Sequence, residues 1–261
     1  MMPYKVAFVS LGCAKNLVNT EQMMALCRDA GHTVTGDPEG ADVAVLNTCG
    51  FIESAKSEAI ENILELSQLK DQGKLKKLLV AGCLTQRYPD DIRKELPEVD
   101  GMLGTGSYTD VVTAVEELMS GEHPEHFERI DRAYDDGERM VTTPPYTAYL
   151  KIAEGCSNGC AFCIIPKLRG RYRSRSLEAL LAEAKTLAAS GVKELIVIAQ
   201  DITRYGLDLG DGTTLAKLLN ELCKMDFHWI RLHYLYPEAI TPELVDTIAS
   251  QTKILHYLDI P

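Results

Sequence analysis

The 261-residue sequence has one tryptophan, aromatic residues at only 7%, and no apolar run approaching the roughly 18 residues a membrane span needs. Its start passes almost directly into the strand-like "YKVAFVS", without the pattern of a signal peptide. The expectation is therefore a cytoplasmic protein with no membrane partner. Basic residues are also scarce: 27 Lys and Arg against 38 Asp and Glu give a net charge of −11. That disfavours a general nucleic-acid binder and leaves room for a local basic groove. Solenoid repeats and low-complexity tracts are absent, which excludes the repeat architectures. What is there is a globular composition, 46% apolar and 25% charged, long enough for about two domains. It includes eight cysteines. In a reducing cytoplasm these serve as metal ligands, catalytic groups or core fillers rather than as disulfides.

Short Val- and Leu-rich runs alternate with helical patterns, the signature of strands joined by crossover helices in a parallel sheet. In the first half, "YKVAFVS", "DVAVLN", "KKLLVAG" and "VDGMLG" read as strands. "NTEQMMALCRDAG", "ESAKSEAIENILELSQL" and "SYTDVVTAVEELMSG" read as helices, the first and last ending at Gly31 and Gly121. The chain then turns acidic and reaches "TTPPY", so residues 1–121 form one expected domain and 122–145 a linker with room for a short hairpin. Residues 146–261 form a second alternating series, from "TAYLKIAEG" through "KELIVIAQ" and "WIRLHYLY" to "ILHYLDI". The fold class expected is α/β: a parallel-sheet domain, then an incomplete barrel that stops after about four strands.

Cys13, Cys49 and Cys83, in "SLGCAKN", "LNTCGF" and "VAGCLTQ", each follow a predicted strand by one to three residues and stand beside a glycine. Strand carboxyl ends share one edge of an open parallel sheet, so the three thiols can converge on a metal or cluster site. The alternative is that each fills space as a small hydrophobe. Cys27 and Cys223 lie inside amphipathic helices beside Met23, Met24, Leu219 and Leu222 and read as core. Cys156, Cys160 and Cys163 form C-x3-C-x2-C after the first barrel strand, on the face where barrel sites are built. Zinc sites close with four ligands, whereas only three thiols are offered here and no histidine lies nearby. Three thiolates on a 4Fe–4S cluster leave one iron open to a small molecule.

This motif, with Phe162 before its last cysteine, resembles the cluster motif of radical S-adenosylmethionine enzymes. With the three upstream cysteines, "SLGCAKNLVNTE", "AGCLTQRY" and "YLKIAEGCSNGCAFCIIPKLRGRYRSR", the whole chain resembles the methylthiotransferases of that superfamily. Within them it is most similar to the branch acting on an aspartate of a ribosomal protein, the alternatives being the tRNA-adenosine branch and a cluster-holding module without catalysis. The resemblance implies a flavodoxin-like first domain and two 4Fe–4S clusters, one on Cys13, Cys49 and Cys83 and one on Cys156, Cys160 and Cys163. It also implies S-adenosylmethionine as methyl donor and radical source, with hydrogen removed from the aspartate β-carbon before the methylthio group bonds there. A ribosomal-protein substrate, a sulfur donor and an electron donor are the implied partners.

Phe162, Ser174, Arg175, Gln200 and Asp201 are the candidate cofactor contacts, although polar residues after strands also cap helices. His233, Tyr236 and Glu238 around the third strand are further candidates; a strand-end histidine is more often a satisfied polar group. Lys167, Arg169, Arg171, Arg173 and Arg175 form a cationic run that either contacts RNA or an acidic loop, or is a solvated segment leading to Ser176 as a helix N-cap. Asn19 and Thr20 stand where the family commonly has Asp and Ser, read here as capping a helix start. Full-length relatives continue into the rest of the barrel and a TRAM-type domain, so a chain ending at Pro261 is expected to expose an unpaired edge strand and turn over weakly.

Overall fold

The computed structural model describes residues 3–132, 134 and 136–261 and resolves the chain into two compact units. The first runs up to Met140 and includes Lys167–Arg169; the second comprises Val141–Pro166 and Gly170–Pro261.

Near-continuous runs of Val, Leu and Ala give the first unit strands that are buried on both faces, as parallel strands require. Its elements are β1 (Lys5–Ser10), α1 (Ala14–Asp29), β2 (Thr33–Thr35), β3 (Ala41–Thr48), α2 (Glu53–Asp71) and β4 (Leu75–Gly82). They continue with α3 (Cys83–Arg87), α4 (Pro89–Glu95), β5 (Gly101–Leu103), α5 (Val111–Ser120) and β6 (Glu125–His126). All neighbours pair in parallel in the order β2-β1-β3-β4-β5-β6, whose first five strands follow the flavodoxin-like order. Alternate residues go to opposite faces. Val6, Phe8, Val43, Val45 and Leu79 share a core with Met23 and Cys27 of α1 and Val115 and Leu118 of α5. Ala7, Ala44, Leu46, Leu78 and Val80 pack with Ala59, Ile63 and Leu66 of α2 and Ile92 of α4. Gly121 ends α5 in the left-handed region.

Three features differ from the sequence reading. α1 begins at Ala14, so Asn19 and Thr20 do not cap its start; they are buried in its second turn, where the Thr20 hydroxyl donates to Ser10 Oγ at 3.0 Å. The segment expected as a linker contributes β6, which lies parallel beside β5. β2 and the short helices α3 and α4 were not anticipated.

The second unit contains β7 (Thr147–Lys151), β8 (Ala153–Glu154), α6 (Ile165–Arg169, whose last three residues belong to the first unit), β9 (Arg173–Ser174) and α7 (Leu177–Ala189). Then follow β10 (Glu194–Ile198), α8 (Leu215–Leu222), β11 (Trp229–Leu232), α9 (Pro242–Ser250) and β12 (Ile254–Leu258). β7, β10, β11 and β12 pair in parallel with each strand beside its predecessor, the winding of a barrel carried through four strands. β12 is an edge strand of this sheet. Ser176 caps α7, accepting from the Ala179 N–H at 3.1 Å, and Thr214 and Thr241 cap α8 and α9 likewise. Among the described residues no helix is long and apolar enough to cross a membrane.

Candidate metal centres

In the first unit the strands β1, β3 and β4 are neighbours, and their carboxyl ends deliver one cysteine each. Cys13 is the N-cap of α1, Cys49 directly follows β3, and Cys83 opens α3 directly after β4. The glycines beside them allow the approach. A Cβ on Gly12, whose φ is +84°, would stand 2.5 Å from Cys49 Cβ. A Cβ on Gly50 would stand 2.9 Å from Leu84 Cα and 3.0 Å from the Cys83 carbonyl carbon. Buried amides and hydroxyls tie the three ends together. Asn16 Nδ2 donates to the Thr48 carbonyl at 2.8 Å, Asn47 Nδ2 to the Asn16 carbonyl at 2.9 Å, and the Thr48 hydroxyl to the Ala81 carbonyl at 2.6 Å.

The thiols sense one another and a nearby guanidinium. Burial raises the Cys49 thiol above its ordinary value; the Phe51 N–H opposes this, Cys83 and Cys13 add to it, and Arg169 opposes it. Burial also acts on Cys13, but Lys15, Arg169 and the backbone N–H groups of Asn16 and Lys15 outweigh it, and the thiol is lowered. A thiol at a helix N-terminus near cations is predisposed to the thiolate that ligates iron. Among the described residues no group of three or more His, Cys, Asp or Glu forms a site for a single metal ion. The donor set of three thiols with a buried cation fits a cluster, which spreads its thiolates over several irons and carries net negative charge. Cys27 behaves otherwise: fully buried in the core, its thiol is pushed by burial up to about 12. Cys223 packs against the second unit's core. Gly12→Ala is expected to cost about 1–3 kcal/mol through its left-handed backbone. Because the new methyl would displace Cys49, iron retained by the first unit is expected to fall with the melting temperature; unaltered iron would contradict this packing.

In the second unit the loop after β8 carries the other three cysteines. Gly155 has φ +79°, and a Cβ there would overlap the Arg171 carbonyl oxygen, so only glycine lets β8 and β9 pair this closely. The Cys156 N–H then donates to the Gly170 carbonyl at 3.1 Å, and the Cys163 N–H to the Cys160 carbonyl at 3.1 Å. Cys156 is buried, Cys163 half-buried and Cys160 exposed. Burial raises the Cys156 thiol; the Asn158 N–H opposes, and Asp201, Cys163 and Cys160 add to the rise. These thiols therefore lie within electrostatic reach of one another.

The candidate cofactor contacts separate in this geometry. Asp201, fully buried after β10, accepts from Asn158 Nδ2 at 2.9 Å. Gln200 Nε2 donates to Glu154 Oε1 at 2.7 Å. Its own Oε1, with Asn158 Oδ1 and the Tyr172 hydroxyl, is a buried polar atom with no hydrogen-bond partner. Such atoms suit a polar cofactor headgroup beside the thiols. Burial, followed by Asp201 and Asp208, holds the Tyr172 phenol well above its ordinary value. Ser174 is bound to Asp208, its hydroxyl donating to Oδ1 at 2.6 Å. Arg175 turns inward to Glu183 at 2.6 Å, and Phe162 is 94% exposed. Burial, then Cys156 and Asp201, raises the Tyr236 phenol, which places Tyr236 near the motif. The His233 N–H donates to the Val197 carbonyl at 3.1 Å.

The cationic run is not one surface: Lys167 and Arg171 are exposed, whereas Arg169 and Arg175 are buried. Sequence reasoning missed Lys151, Glu154, Asn158 and Tyr172. Lys151 Nζ donates to Glu154 Oε2 at 2.9 Å, and the Gly155 N–H to Glu154 Oε1 at 3.2 Å. The available signal was a lysine inside the apolar strand "YLKIAEG" with an acid three residues on.

Comparison with known proteins adds the following. Residues 5–104 match the uncharacterized protein family UPF0004, and residues 150–261 match the radical SAM superfamily. A protein of Symbiobacterium thermophilum named ribosomal protein uS12 methylthiotransferase RimO is 49% identical over 99% of this chain and 54% of its own length. A protein of the same name from Clostridioides difficile is 51% identical over 98% of this chain and 58% of its own length. The chain thus spans little more than half of these relatives. Among solved structures, the radical S-adenosylmethionine methyltransferase TsrM of Kitasatospora setae aligns with a TM-score of 0.65 at 13% identity, over 94% of this chain and 57% of that one. The cobalamin-dependent S-adenosylmethionine radical enzyme OxsB aligns with a TM-score of 0.55 at 12% identity, over 95% of this chain and 42% of that one. At such identities the likeness is one of fold.

Proposed function

We propose, for a chain that belongs to the methylthiotransferase family of the radical S-adenosylmethionine superfamily, that it acts in adding a methylthio group to the β-carbon of an aspartate of ribosomal protein uS12. The superfamily implies S-adenosylmethionine and one 4Fe–4S cluster; a second cluster is part of this proposal. The observation that carries it is the pair of three-cysteine sets, one at the carboxyl edge of the first unit's parallel sheet and one in the loop after β8, the short strand that follows β7. When bound, the clusters and S-adenosylmethionine would supply the electron, the radical and the methyl group.

The chain's own residues have definite tasks in this reading. Residues 1–121 form the domain whose Cys13, Cys49 and Cys83 hold the second cluster, and residues 146–261 the barrel domain whose Cys156, Cys160 and Cys163 hold the first. Asp201 orients the Asn158 amide, and Glu154 orients the Gln200 amide, leaving the oxygens of both and the Tyr172 hydroxyl to receive the cofactor's polar groups. Ser174, Arg175 and Phe162 are cofactor contacts on the resemblance alone, since Asp208 holds Ser174, Glu183 holds Arg175 and Phe162 is exposed. A sulfur donor, an electron donor and a cytoplasmic place of action complete the reading. Anaerobically reconstituted, reduced protein given S-adenosylmethionine and both candidate substrates is expected to place one methylthio group on uS12 aspartate, read by mass spectrometry. The group on tRNA adenosine would move the reading to that branch; the group on neither would reduce it to a cluster-holding module.

A further inference from the structure

Arg169 ends α6 and is 6% exposed, a guanidinium in the interior of the first unit. Its Nη2 donates to Asn16 Oδ1 and lies 3.3 Å from Cys83 Sγ. Asn16 is oriented for this contact. Its Nδ2 is committed to the Thr48 carbonyl at 2.8 Å and the Leu11 carbonyl at 3.3 Å, so its oxygen is the atom left to face the guanidinium. The neighbouring Leu168 carbonyl accepts from the Thr105 hydroxyl, which fixes the backbone on which Arg169 stands. A buried guanidinium is costly unless negative charge lies beside it. Three thiolates supply such charge.

We propose that Arg169 is a positioning residue of the three-cysteine site: it donates an N–H to the Cys83 sulfur and keeps a positive charge beside the triad, raising the reduction potential of the cluster held there. This rests on the two-cluster reading. A hydrogen bond to a ligand sulfur and a nearby cation both favour the reduced, more negative cluster. Arginine serves here because its terminal Nη2 carries two N–H groups, which meet the asparagine oxygen and the sulfur together.

The test uses the chain with Cys156, Cys160 and Cys163 replaced by alanine, so that iron reports the first unit alone. After anaerobic reconstitution the potential is read by redox titration with electron paramagnetic resonance, in this parent and with Arg169→Gln added. The glutamine variant is expected to be about tenfold harder to reduce, a shift of about 59 mV for one electron. Iron retained with less than a twofold change overturns the proposal and leaves Arg169 a packing residue, a role that would move the melting temperature but not the potential. Should the glutamine variant fail to hold iron, Arg169→Lys decides. Lysine restores the positive charge beside the triad, so iron held again at a potential equal to or below the parent's supports the proposal, whereas a lysine variant without iron or with a potential above the parent's overturns it. A parent without iron removes the two-cluster reading itself, and this inference with it.

Discussion

Replacing Cys156, Cys160 and Cys163 together by alanine is expected to halve the iron bound after anaerobic reconstitution, from about eight to about four per chain. The expectation follows from where the thiols stand. The three belong to one loop of the second unit and sense one another, while Cys13, Cys49 and Cys83 sense one another in the first unit. Two groups, each fed by its own sheet, should lose iron independently. Cleavage of S-adenosylmethionine should vanish in the same variant, because the remaining iron lacks the loop around which Tyr172, Asn158 and Gln200 present unpartnered polar atoms. The reciprocal variant at Cys13, Cys49 and Cys83 should also keep about four irons, and should retain cleavage. Zinc in place of iron, or no iron lost from the first variant, would overturn the cluster reading of both sites. Zinc wants a closed set of four ligands, and neither group offers a fourth cysteine in the sequence around it.

Much of this site was legible before any coordinates because its chemistry is tied to the most regular part of the fold. Apolar runs such as "DVAVLN" and "KKLLVAG", alternating with helical patterns, read as buried parallel strands. A cysteine just beyond each one had to lie at the sheet's carboxyl edge. The order of the strands then makes β1, β3 and β4 neighbours. What escaped depends on contacts between residues distant in sequence. Arg169 looked like one member of a cationic run, and nothing local shows that it reaches Asn16 and Cys83. β2 and β6, of three and two residues, carry no apolar run and exist because a longer neighbour offers an edge. Asn19 and Thr20 were misplaced because a polar "KNLVNTEQ" reads as a loop leading into a helix. The structure instead buries that polar turn, where the Thr20 hydroxyl accepts from Asn47 Nδ2 at 2.9 Å.

Lys151→Met is expected to destabilise the second unit by about 3–5 kcal/mol, the cost of breaking a buried ion pair from one side. Lys151 is fully buried at the end of β7, and its ammonium meets the Glu154 carboxylate at 2.9 Å. Methionine fills much of the same volume, so packing changes little while a buried carboxylate loses that ammonium. Glu154 also holds the Gly155 N–H and the Gln200 amide, one residue from Cys156 and one from Asp201. Disturbing it should therefore loosen the cysteine loop as well as the fold. The measurement is urea unfolding followed by a probe in the second unit, such as fluorescence of the single tryptophan, Trp229. Adding Glu154→Gln to Lys151→Met removes the charge that was left behind while keeping an acceptor for Gly155, and should recover most of the loss. A double variant as unstable as the single one would show that the loss does not come from the charge left on Glu154. Recovery of stability without recovery of iron would separate the two tasks of Glu154: neutralising Lys151, and presenting the loop that carries Cys156.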